Sequence, residues 1–324
     1  MKDFDPGFPA RLTLYPNPEG WTLLRCESNC AQLTLPDMVQ DKPITQIGDY
    51  AFSSRAPRHP QDETQCLVVP SEGQEISHSA SALEQLVLPR FVKSIGNYAF
   101  YGCTKLSHLS LSDALRQVGA DAFMNCFSMK ELSVAGQLPH MLGLRQLLRE
   151  LCGELTVSVE NLDQPYTLLF PAYEEEHEEM AAPHIFHYHI AGEGYLYRQC
   201  FNQDEFQFSE YDAAFALLLK THSFAFAVQV ALSRLCYPVA LSQTAKQEYI
   251  ACLKQHPDLA FSHCLKQRDT RLLSAYLKLN CWDKQSLETA CNHARSAGNT
   301  QAVGLLLAHL QPSCQQTERA RFSL

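Results

Sequence analysis

Residues 83–123 read LEQLVLPRFVKSIGNYAFYGCTKLSHLSLSDALRQVGADAF, two passes through one pattern. Ile95 and Val118, Gly96 and Gly119, and Phe100 and Phe123 each stand 23 residues apart. Leu86-x-Leu88, Leu109-x-Leu111 and Leu132-x-Val134 step by the same interval, and Leu155-x-Val157 continues the series. A further copy of the second half, ITQIGDYAF, lies at 44–52. Two apolar residues separated by one other share a face of an extended strand. Such a pair recurring every 20–29 residues marks a solenoid, whose units bury their apolar sides against their neighbours. The period predicts a parallel sheet with Leu86, Leu109, Leu132 and Leu155 as one internal column.

The other repeated residues fit that frame. Gly48, Gly96 and Gly119 each open a turn, where positive φ or close backbone approach calls for glycine. Ala then permits tight packing, and Phe52, Phe100 and Phe123 fill the corner. Cys103 and Cys126 suit small buried apolar positions. Alternation also defines an outward face. Gln85, His108, Glu131 and Glu154 form one outward column, and Val87, Ser110, Ser133 and Thr156 another. A partner that binds the sheet is expected to touch these eight residues.

The stretch from Leu83 to Cys126 resembles the BspA-type leucine-rich repeat. Leu83, Leu86, Leu88, Pro89, Val92, Ile95, Gly96, Ala99, Phe100 and Cys103 follow its pattern. Leu106, Leu109, Leu111, Leu115, Val118, Gly119, Ala122, Phe123 and Cys126 follow it again. The match is strong over 83–134, weaker over 31–52 and absent beyond about 160. The resemblance implies a protein-interaction role, usually in a surface or secreted protein.

Length and charge set wider limits. The 324 residues are 46% apolar, enough for two domains. A formal charge of −9 and the absence of a basic run of five disfavour a nucleic-acid partner. The N-terminal MKDFDPGFPARLTLY lacks the apolar core of a secretory signal. Lys220, His222 and Gln229 interrupt the most apolar stretch, so no membrane span is expected. The thirteen cysteines are odd in number and include no CxxC. They suit free thiols in a reducing cytoplasm, with a surface adhesin as the alternative if a leader precedes this chain.

Past the repeats the pattern changes. Leucines between Leu138 and Cys152 fall at helical spacing, so one solenoid turn is expected to use a helix. Strand-like runs at 155–159, 166–170 and 185–190 enclose the acidic run 174–179, read as a solvated loop. Seven amphipathic segments follow, each with apolar residues at intervals of three and four. Asp269-Thr270 and Asn299-Thr300 recur 30 residues apart, as do Tyr276-Leu277 and Leu306-Leu307. The segment SLETACNHARSAGNTQAVGLLLAH looks like an ankyrin unit, though the Thr-Pro-Leu-His turn of that family is missing. The expected fold is an α+β repeat protein: a leucine-rich-repeat solenoid with a parallel β-sheet, then an all-α ankyrin-like helical array. The expected domains are 1–160, a β-containing junction with an acidic loop at 161–208, and 209–324.

Motifs that carry chemistry are scarce. Nucleotide-binding glycine loops, HExxH, the nucleophile elbow and EF-hand loops are all absent. His184, His187 and His189 are the one weak metal-ligand candidate, with a carboxylate available from the acidic run. Gly192–Phe201 carries Tyr195, Tyr197, Arg198 and Cys200, which suit either a pocket or a packing anchor. The reading is a bacterial-type cytoplasmic scaffold that is not an enzyme, needs no cofactor and binds a protein. The alternative is a metal protein or enzyme with its site at 184–200.

Overall fold

The computed structural model describes residues 10–55, 65–69, 79–136, 142–160, 165–180, 185–203 and 205–310. The chain divides into two compact units, 1–211 and 212–324. In chain order the strands of the first unit begin with β1 (Ala10–Asn17), β2 (Gly20–Ser28), β3 (Gln32–Thr34), β4 (Met38–Val39), β5 (Lys42–Ile47) and β6 (Gln65–Val69). The repeat strands are β7 (Gln85–Val87), β8 (Ser94–Ile95), β9 (His108–Ser112), β10 (Gln117–Val118) and β11 (Glu131–Ala135). Helix α1 (Leu144–Glu150) follows, then β12 (Leu155–Glu160), β13 (Tyr166–Phe170), β14 (Glu174–Met180), β15 (Ile185–Ala191) and α2 (Gly194–Arg198).

The first three repeats each contribute one strand to each of two sheets. The Leu-x-Leu strands build a six-stranded sheet in the order β13-β12-β11-β9-β7-β3, parallel from β3 to β12. The segments before each Gly build a second sheet in the order β10-β8-β5-β2-β1-β6. Between the sheets lie Leu86, Leu109, Leu132 and Val157, all fully buried. Phe52, Phe100 and Phe123 stack as a ladder, with centroids 4.9 and 4.8 Å apart and planes within 17°. Cys103 and Cys126 are buried beside it. Their thiols donate to Phe52 O and Phe100 O, the same bond one repeat apart. Burial pushes the Cys126 thiol up to about 12 and that of Cys103 higher still.

The glycines answer close approach rather than positive φ. A Cβ on Gly96 meets Asp49 N at 2.6 Å, and one on Gly119 meets Asn97 N at 2.5 Å. Left-handed backbone falls two residues later, at Tyr50, Tyr98 and Asp121, with φ of 57°, 54° and 52°. Glycine thus sets the spacing between repeats while another residue makes the turn.

Two expectations need correction. Leu132 pairs with Val157, and Glu131 with Thr156, so β11 and β12 are offset by 25 residues. The fourth unit holds α1 where the two before it hold the two-residue strands β8 and β10, and the helix requires a longer segment. Leu155 instead lies opposite Phe170. The acidic run is also no loop. Glu174–Met180 is β14, paired antiparallel with β15, and Glu176 and Glu178 sit in register with His189 and His187. A complete ladder satisfies its backbone despite the poor strand preference of glutamate.

The second sheet begins with a hairpin and is covered by a helix at its β10 edge. The hairpin β1–β2 opens the second sheet, with β2 parallel to β5. At the far edge, Val118 N donates to Gln146 Oε1 at 2.8 Å, so a side chain of α1 replaces the next strand's carbonyl.

The second unit is helical. Helix α3 (Phe208–Lys220) leads into α4 (Phe224–Cys236), α5 (Gln243–Gln255), α6 (Pro257–Gln267), α7 (Thr270–Lys278), α8 (Lys284–Ser296) and α9 (Thr300–Leu310). Ser242 caps α5, accepting from Ala245 N, and Asp269 caps α7, accepting from Arg271 N and Leu272 N. Thirty residues on, Asn299 Oδ1 accepts from Ala302 N at the start of α9. The preceding residues match too: Arg268 and Gly298 have φ of 52° and 67°. α6 packs on α8 and α7 on α9, so the helix pairs stack. One ion pair is buried here. Arg234 donates to both Asp212 oxygens at 2.7 and 2.9 Å, and Tyr249 Oη donates to Oδ1 at 2.7 Å.

Candidate functional interface

The outward face of the six-stranded sheet follows from strand alternation. Its first column in register is Gln32, Gln85, His108, Glu131 and Thr156. Its second is Thr34, Val87, Ser110, Ser133 and Ser158, with Thr167 of β13 beyond. Gln85, Val87 and Glu131 are exposed, and His108, Ser110, Ser133 and Thr156 are half-buried. Glu154 is exposed but precedes β12 and lies outside the column. Six of the eight sequence candidates therefore keep their assigned column. Thr156 moves across into the first column, where Glu154 was expected, and Ser158 takes its place. The signal for Gln32 and Thr34 was the LTLP of 33–36, set apart from its successor by a 53-residue step that includes β6.

His108 is the hub of this face. Its Nδ1 lies 3.0 Å from Glu131 Oε2. Its Nε2 lies 3.0 Å from Ser133 Oγ and 3.3 Å from Ser110 Oγ. With Nδ1–H donating to the carboxylate, Nε2 accepts from the two hydroxyls. Carboxylate, imidazole and hydroxyl are the groups of an acyl-transfer relay. However, β11 lies between two parallel neighbours, so its N–H groups serve the ladders rather than a developing oxyanion. The arrangement fixes four side chains on β9 and β11 and presents donors and acceptors at set spacing.

One end of the face is a shallow groove of about 360 Å³, floored by Ser110, Ser112, Ser133 and Ala135. Asp37 and Arg90 form its rim. Asp37 accepts from Arg90 N at 2.7 Å and from Arg90 Nε at 2.6 Å. Val87, Leu88, Leu111 and Glu160 complete the lining. The groove thus sets apolar side chains beside serines and a charged rim.

Of the metal candidates, His184 lies outside the described residues, while His187 and His189 lie on β15. Among the described residues, no three His, Cys, Asp or Glu side chains converge as metal ligands.

The segment at 192–201 is a packing anchor within the first unit. Arg198 is 1% exposed. Its guanidinium donates to Leu148 O and Leu151 O at the end of α1, to Gly153 O, to Gly194 O and to Pro171 O. It also lies over Tyr173, 5.0 Å from the ring centroid, and Tyr173 meets Tyr195 edge-on. Burial lowers its pKa to about 10. Cys200 is buried, with its thiol donating to Leu196 O.

No helix among the described residues is long and apolar enough to cross a membrane. A search of curated proteins gave no match. Three solved structures are similar in part. A leucine-rich repeat protein of T. pallidum is 22% identical, with 41% of this chain and 53% of that one covered and a TM-score of 0.30. A leucine-rich cell surface protein of Faecalibacterium prausnitzii A2-165 is 20% identical over 38% of this chain and 31% of that one, at 0.27. A leucine-rich repeat protein of Bacteroides capillosus ATCC 29799 is 22% identical over 46% and 94%, at 0.29. The chain thus spans about half the length of the first and a third of the second. A family model for the BspA type leucine rich repeat region, in six copies, matches residues 73–141. The repeats within residues 73–141 are thus similar to the BspA-type leucine-rich repeat.

Proposed function

We propose that this chain is a non-catalytic interaction scaffold whose partner is a protein docked on the outward face of the six-stranded sheet. The carrying observation is the hub at His108, which locks Glu131, Ser110 and Ser133 into one ordered patch of the outward face. Rigid side chains lose little freedom on binding, and a repeat surface suits an extended partner. The contact set is Gln85, Val87, His108, Ser110, Glu131, Ser133 and Thr156, extended to Ser158. The functional regions are 1–160, the junction 161–208 and 209–324. The last is an ankyrin-like array, a reading supported by the turn and cap that recur at Arg268-Asp269 and Gly298-Asn299. The cytoplasmic setting in this reading is supported by cysteines that form no disulfide, among them Cys103, Cys126, Cys252 and Cys264. The acidic balance favours a partner with basic patches over nucleic acid.

The test is affinity capture from the native host with wild type, with Glu131→Lys/Ser133→Tyr and with a surface variant of the helical unit, Glu288→Lys. A protein retained by wild type and Glu288→Lys but lost from the sheet variant supports the assignment. Equal retention by all three places the contact elsewhere and removes it.

A further inference from the structure

The second sheet carries a different surface, with no part in the proposed protein contact. Its outward residues Thr22, Gln46, Ser94 and Gln117 are in register across β2, β5, β8 and β10. They line a groove of about 730 Å³, bounded at the β10 edge by Gln146 and lined also by Tyr50. We infer that this groove binds a neutral oligosaccharide.

The lining chemistry selects that class. Of its fifteen residues only Asp49 carries a charge, and Asp49 Oδ1 already accepts from Asn97 N at 2.8 Å. No lysine or arginine lines it, whereas phosphate and sulfate ligands need cationic donors. The polar groups are amides and hydroxyls, each set offering both donors and acceptors, as a polyol requires. Several are uncommitted. Gln46 Oε1 accepts from Thr22, which leaves its Nε2 for a ligand. Gln146 Oε1 accepts from Val118 N, which leaves its Nε2 as well.

The geometry disfavours the other occupants. A peptide adding a strand needs the open edge of β10, and Gln146 occupies the Val118 N–H there. An apolar ligand needs apolar walls, but Ile47 is buried and only Leu24 and Val118 are half-exposed. Gly48, Gly96 and Gly119 hold neighbouring repeats close together, which brings the lining side chains of successive strands within reach of one ligand. Tyr50, stacked on Tyr98 at 5.1 Å, supplies an aromatic surface for the C–H face of a sugar.

The experiment is calorimetric titration of the full chain with maltotetraose, cellotetraose and N,N′,N″,N‴-tetraacetylchitotetraose, and with tetragalacturonate as the charged control. At least one neutral tetramer is expected to bind with a Kd of roughly 0.1–1 mM. Gln117→Ala and Gln46→Ala are each expected to weaken it about fivefold, the effect of one lost hydrogen bond. Circular dichroism verifies that both variants fold, and Glu288→Ala, on the exposed face of α8, should bind like wild type. The inference is overturned if none of the three neutral tetramers binds at about ten times that range. It is equally overturned if tetragalacturonate binds as well as they do, or if both glutamine variants bind unchanged.

Discussion

Phe100 lies between Phe52 and Phe123, and its ring stacks on Phe123 with centroids 4.8 Å apart and planes 17° from parallel. Phe123 has one such neighbour where Phe100 has two. Replacing either by alanine opens a cavity in a corner the backbone cannot close. Phe100→Ala should cost about 3–5 kcal/mol, and Phe123→Ala somewhat less. Urea unfolding monitored by circular dichroism measures both, and equal or reversed costs would contradict the ladder as the organising element.

The repeat glycines give a second test. In Gly119→Ala the new Cβ meets Asn97 N and Gly96 C at 2.5 and 2.6 Å, both backbone, so neighbouring repeats must separate. A cost of about 1–3 kcal/mol is expected. Gly102→Ala, with φ of 77° and nothing within 4 Å, meets only backbone strain and should cost about 1 kcal/mol. Thermal melts that rank the two variants the other way would reject the close-approach account.

Buried thiols set an alkaline limit. Cys126 and Cys252 are raised by burial to about 12 and about 11 from an ordinary value near 9. The folded state keeps these protons where the unfolded state releases them. Their contribution is therefore complete below pH 9 and is lost as pH rises toward 11–12. Stability should fall above pH 9 at a limiting slope of about 1.4 kcal/mol per unit for each thiol. At neutral pH, exposed Cys152 should react with a thiol reagent well before Cys103, Cys126 or Cys264, which are buried. A flat stability profile from pH 8 to 10.5, or early labelling of Cys103, would contradict this placement.

The repeats were legible because one pattern controlled many residues at once. Leu86, Leu109 and Leu132 share an interval, and each alternation places the side chain on a known face. Counting failed where the unit changed length: Leu155 keeps the interval of 23 but loses the register, because α1 takes up extra chain before β12. The helix itself was visible in its leucines, yet a periodicity does not report how many residues a helix adds to a turn. The strand at Glu174–Met180 was hidden for a different reason. Its pairing partner is β15, and local preference alone argued for a loop. The hub at His108 was half visible: the sequence put His108, Glu131 and Ser133 on one face, but only cross-strand register shows that they touch. The buried Asp212–Arg234–Tyr249 set left no local trace, since its members lie 22 and 37 residues apart.

That set yields a further prediction. Asp212→Ala leaves the guanidinium of Arg234, 1% exposed, without its carboxylate. The expected cost is about 3–5 kcal/mol, dominated by the stranded charge. Asp212→Ala/Arg234→Met removes both charges and should recover much of the loss, because an apolar side chain tolerates the site. A double variant as unstable as the single one would show that the pair contributes specific hydrogen bonding beyond charge compensation.

Arg198 is the strongest structural commitment at the end of the solenoid. Five carbonyls from α1, the turn after it, the end of β13 and α2 converge on one guanidinium. Two belong to the last turn of α1, where a cation complements the helix dipole and caps carbonyls that have no intrahelical partner. Arg198→Met fills similar space but strands those oxygens, each left to seek water in a buried site. Arg198→Lys retains the charge but not the planar fork that reaches in several directions at once. Both variants should lose about 3–5 kcal/mol, with lysine recovering only a minor part. Hydrogen exchange separates a local role from a global one: the amides of α1 and β12 should lose protection first, while those of β7 and β9 hold. Uniform loss across all the repeats would mean that the solenoid unfolds as one unit, and that Arg198 is not a terminal clamp.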